Sequence, residues 1–148
     1  MDDPYVIQAG HAPTPFTADE IRQGCPAGRT VTARTEAAGE PDRVDITVFV
    51  ETDDRGALLE SNGQRHRVTW RELQNHASFP AEVTTVHEDV VEGPLGRMDC
   101  LSYRVVAADT VSTFWFEKGR PGMPVLFTTE VAGALVSTTM VIADEVGE

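Results

Sequence analysis

The chain has 148 residues, 41% hydrophobic and 24% charged, which suits one domain built around a single core. Its 24 acidic and 12 basic side chains give a formal net charge of -12. That field repels phosphate backbones and anionic headgroups, so neither nucleic acid nor a membrane is expected as a partner.

The opening MDDPYVIQAGHAP has no basic segment followed by an apolar run, so no secretory signal is expected and the cytoplasm is the expected compartment. Pro4, Pro13 and Pro15 disfavour regular structure, and residues 1–16 read as an extended arm anchored by Tyr5, Val6, Ile7 and Phe16. A short helix follows at 17–24. Thr17 and Glu20 have the spacing of a capping box, Phe16 and Ile21 that of a hydrophobic staple, and Gly24 and Pro26 end the helix.

From Arg29 the apolar period changes to two, and 29–143 reads as a β-meander. Thr30–Ala38 and Arg43–Thr52 are paired strands around GEPD, and Val44, Ile46, Val48 and Val50 form one apolar edge of the second. Turns at DDRG and SNG shape two shorter strands, ALLES and QRHRVTW. The segment Trp70–Pro80 breaks the alternation and has room for one or two helical turns.

The remaining turns, GPLG, AADT, GRPG and Ala132-Gly133, fix a register, because opposite residues of a hairpin have a constant sum of positions. They set Val86 opposite Tyr103, Glu88 opposite Leu101, Tyr103 opposite Phe114, Leu101 opposite Phe116, Phe114 opposite Phe127 and Val125 opposite Met140. One face then collects Val86, Val90, Leu101, Tyr103, Val105, Phe114, Phe116, Val125, Phe127, Val131, Val136, Met140 and Ile142. The other carries His87, Asp89, Cys100, Ser102, Arg104, Thr113, Trp115, Thr128, Ser137 and Thr139, and is expected to be mainly wet. The expected fold is mainly β: a single antiparallel meander forming a half-barrel or closed barrel, with one short N-terminal helix packed against it.

Motifs of chemistry are few. No GxSxG, GxGxxG or P-loop occurs, and His11, His66, His76 and His87 have no metal-ligand spacing, so no metal or cofactor is expected. His87 with Asp89 reads as a solvated pair, and His76 as a side chain that could point into a barrel mouth. Cys25 and Cys100 read as two buried thiols, with a disulfide between them as the alternative for an exported chain. Glu88 faces Leu101 and Phe116, where burial would raise its pKa and make it, with Tyr103, an acid/base pair; the competing reading is a rim carboxylate reaching water. Leu101, Phe114, Phe116, Phe127 and Met140 are candidate contacts for an apolar ligand, against a reading as plain core. Trp115 beside Arg104 suggests a cation–π contact or a homodimer surface.

The pattern GPLGRMDCLSYRV followed by STFWFEKGRPGMPVLF, within Val83–Ile142, resembles bacterial half-barrel carriers of apolar ligands, the lipoprotein-carrier-like (LolA-like) group. The resemblance implies an incomplete antiparallel barrel closing over a helix and a small hydrophobic ligand; it carries over no residue roles. Three functions follow in order: a binding module for such a ligand, a small-barrel isomerase, cyclase or hydrolase using Glu88 and Tyr103, and a structural or interaction protein.

Overall fold

A computed structural model describes residues 3–146. The helix expected at the N-terminus is α1 (Ala18–Gly24), and its capping box is formed in full: the Thr17 hydroxyl accepts from the Glu20 amide while the Glu20 carboxylate accepts from the Thr17 amide. Phe16 and Ile21 are both buried in the main core, as a staple requires. Four strands follow, β1 (Arg29–Ala37), β2 (Arg43–Thr52), β3 (Gly56–Ser61) and β4 (Gln64–Thr69). Next come α2 (Trp70–Asn75) and a single 3-10 turn at Ala81–Val83. Five more strands complete the chain: β5 (Thr84–Gly93), β6 (Gly96–Ala107), β7 (Thr110–Glu117), β8 (Leu126–Val131) and β9 (Ala134–Val146).

All nine strands form one antiparallel sheet in the order β4-β3-β2-β1-β9-β8-β7-β6-β5. Two meanders, β1 to β4 and β5 to β9, are thus joined where the first strand pairs with the last. β4 and β5 are free edges, so the barrel is open and the closed alternative falls away. In a flat sheet β3 and β7 would lie about 24 Å apart at the usual strand spacing of about 4.8 Å. Side chains of both nevertheless line one cavity, so the sheet is curled. α1 and α2 lie inside the curl and pack with Phe49, Ala57, Leu59, Tyr103 and Phe116 into the main core cluster. α2 takes up the one or two helical turns expected within Trp70–Pro80 and packs in the core beside the N-terminal helix. Its cap, Thr69 with Glu72, repeats the Thr-x-x-Glu spacing of the first. No helix among the described residues is long and apolar enough to cross a membrane.

The hairpin registers from β5 to β8 follow the turn symmetry: Val86–Tyr103, Glu88–Leu101, Tyr103–Phe114, Leu101–Phe116 and Phe114–Phe127 all pair. The β8–β9 register does not. A bulge between Thr129 and Glu130 shifts it by one, so Met140 pairs with Leu126 and Thr139 with Phe127. Met140 thereby moves to the convex face, where its sulfur packs over Gly93.

That convex face is drier than alternation suggests. The tip of the β5–β6 hairpin brings Val91, Leu95 and Met98 together with Cys100, Trp115, Val125 and Leu126 in a second apolar cluster. Elsewhere it is open: the apolar edge of β2 lies there, with Val44 and Ile46 exposed. Val86 and Val90, expected in the core, stand half open on the edge strand β5.

Of the residues expected to anchor the N-terminal arm, Phe16 is buried in the main core and the Tyr5 carbonyl accepts from Thr14, but further residues take part. Val6 is exposed, whereas Ala12 and Thr14 are buried. Gly10 to Ala12 pair with Phe79 to Ala81. Gln74 of α2, itself buried, donates to the Pro4 carbonyl and the Thr14 hydroxyl, and its own oxygen accepts from the Ala18 amide, one of the unpaired donors at the start of α1.

Candidate functional site: an apolar cavity inside the curled sheet

The cavity of about 340 Å³ lies between the concave face and the two helices. Its deep walls are Ile21 of α1, Leu73 of α2 and the adjacent Ala77, Phe49 and Leu59 of β2 and β3, and Phe114 and Phe116 of β7. Period-two alternation explains this selection. Phe49 pairs with Leu59 and Leu59 with His66, so the three side chains share the concave face. Thr47 and Ser61 form the next such pair, with their hydroxyl oxygens 3.4 Å apart. His66 and His76 complete the polar part of the lining; both are exposed and stand at the mouth.

The loop between β7 and β8 contributes Gly122, Met123 and Pro124 to the rim. A buried ion pair holds this loop. Arg29 binds Asp144 through two parallel hydrogen bonds of 3.0 and 2.7 Å and donates to the Gly24 and Pro121 carbonyls and the Cys25 sulfur. Arg120 joins Asp144 at 3.1 Å and Glu117 at 2.7 Å. Burial alone would raise the Asp144 pKa, but the two guanidiniums hold it below the ordinary carboxylate value. Burial also raises the Cys25 thiol, with Arg29 opposing. Cys25 and Cys100 are both buried and free, in separate clusters, so the Cys25–Cys100 disulfide is absent.

The candidate acid/base pair is not assembled. Glu88 faces Leu101 as expected, but it sits on the free edge strand β5, with its side chain 78% exposed and bonded to Lys118. The Lys118 hydrogen bond and charge lower its pKa, the opposite of the upward shift that burial would give. Tyr103 is buried and its hydroxyl donates to the Pro13 carbonyl at 2.6 Å; burial pushes its pKa up to about 12. The hydroxyl is a fastener for the arm.

Of the candidate ligand contacts, Phe114 and Phe116 line the cavity. Leu101 faces a separate, more open hollow beside Tyr5, Pro13 and Val86. Phe127 backs the lining, stacked on Phe114 at 4.5 Å, while Met140 lies on the other face. Phe79 escaped notice in the sequence, yet it stacks on the other side of Phe114 at 4.8 Å and touches Tyr103. The Pro80 that follows biases Phe79 towards an extended backbone but does not set which way its ring points. Trp115 makes no cation–π contact with Arg104; its indole N–H donates to Asp89 at 3.0 Å. No group of three or more His, Cys, Asp or Glu capable of holding a metal occurs among the described residues. Compared with known proteins, the sequence matches no family model and no curated protein.

Proposed function

We propose that the protein is a binding module for a small hydrophobic ligand, seated between the curled sheet and the helices α1 and α2. The observation that carries this reading is the cavity of about 340 Å³ walled mainly by apolar side chains, with Thr47, Ser61, His66 and His76 as its few polar ones. Ligand pockets span about 300–1,000 Å³ and show this distribution of many apolar walls and few polar ones, so the ligand is small. The open sheet with helices inside its curl is also the arrangement implied by the resemblance to lipoprotein-carrier-like proteins. Two free, buried cysteines fit a reducing compartment such as the cytoplasm.

Native mass spectrometry of freshly purified protein, together with titration of Nile red, tests the proposal. A bound small molecule or saturable one-to-one uptake of the dye is expected, and Leu73→Trp, which fills the cavity from α2, should abolish it. A bare-chain mass with no saturable uptake would overturn it.

A further inference from the structure

The geometry points to an anionic amphiphile as the ligand, a single-tailed carboxylic acid whose head sits between His66 and His76 and whose tail runs inward against Phe114 and Phe116; this rests on the cavity being a binding site. The polar groups of the lining are not scattered. Thr47, Ser61 and His66 come from three consecutive strands, β2, β3 and β4, and His76 from the C-terminal end of α2 facing them. The wall across the cavity, Phe114, Phe116, Met123 and Pro124, is apolar. A ligand spanning the space therefore meets hydrogen-bonding groups at one end only.

The sign of the head follows from what the lining lacks. Although the chain has 24 acidic residues, none of those among the described residues lines the cavity, whose ionisable members there are two histidines. A cationic head would call for a carboxylate, and the nearby ones are engaged elsewhere. Glu60 and Glu51 lie on the convex face and pair with Arg65 and Arg67. Asp45, two residues from Thr47 on the same face, is held by Arg43 and Asn62. The Glu72 carboxylate caps the Thr69 amide. Two hydroxyls and two imidazoles supply donors that suit an acceptor-only carboxylate. Neither imidazole makes a side-chain hydrogen bond within the described residues, so both are free to turn to a ligand.

Calorimetric titration of the whole chain with decanoate, decanol and decylamine tests the assignment. Decanoate should bind about three- to tenfold more tightly than decanol, the modest gain of charged hydrogen bonds at a solvent-exposed mouth, and decylamine more weakly than either. The double variant His66→Ala, His76→Ala changes only exposed side chains and should lose the preference for decanoate, the affinities for decanoate and decanol becoming equal. Equal binding of decanoate and decanol, or a preference that survives in the double variant, would overturn the anionic head and leave the apolar site standing. If none of the three binds and Nile red does not either, both readings fall.

Discussion

Arg29 and Asp144 are each only 4% exposed, and they join the first strand to the last while bracing the loop that rims the cavity. A pair buried this deeply is costly to break from one side, because the remaining charge loses its partner. Asp144→Asn should therefore destabilise the fold by about 3–5 kcal/mol, measured by urea unfolding at neutral pH. The pH dependence has a defined sign. The folded pKa of Asp144 lies below its ordinary value of 3.8, so its contribution is complete above that value and is lost as the pH falls through it towards the folded one. Unfolding curves from pH 6 to pH 2 should show a steeper loss of stability in the native chain than in Asp144→Asn. Equal slopes would mean that the pair holds no stability of its own. Other carboxylates with lowered values, Glu20 and Asp45 among them, contribute to the loss in both proteins.

At the scale of elements, close approaches decide which turns tolerate change. A Cβ on Gly56 would sit 1.9 Å from the Val68 carbonyl oxygen, a backbone atom held in the β3–β4 ladder. A Cβ on Gly24 would meet the Pro121 ring at 2.8 Å, where α1 touches the rim loop. Gly56→Ala should thus cost more than the ~1–3 kcal/mol usual for overpacking, and Gly24→Ala should fall within that range; thermal unfolding of the two variants ranks them. Such approaches are invisible in a sequence, and the same limit explains where pattern reading stopped. Leu101, Tyr103, Phe114 and Phe116 could be placed because symmetric turns fix a two-strand register. Met140 could not, since the bulge beside Thr129 adds a residue without any marker residue of its own. Glu88 has the partner expected, and of its two expected environments the structure shows the rim carboxylate reaching water: alternation specifies a face, whereas burial depends on whether another strand lies beyond, and beyond β5 none does among the described residues. Gln74 and Phe79 lie in a segment with no period, so only tertiary contacts reveal their roles.

For the whole molecule, stability should be graded from the seam between β1 and β9 outwards. Strands at the seam have partners on both sides, while β4 and β5 each leave one row of backbone groups unpaired. Hydrogen exchange should accordingly be slowest at Val31 and Val141, both buried, and fastest along β4. Uniform protection across the sheet would contradict that gradient. The seam also has a consequence in time. It pairs Arg29 with Val146, so during synthesis the first meander emerges with its inner edge bare and waits for the whole of the second before that edge is covered. Until β9 has left the ribosome the nascent chain presents two half-sheets with four open edges, and this interval is when the protein is most exposed to mispairing with a neighbour.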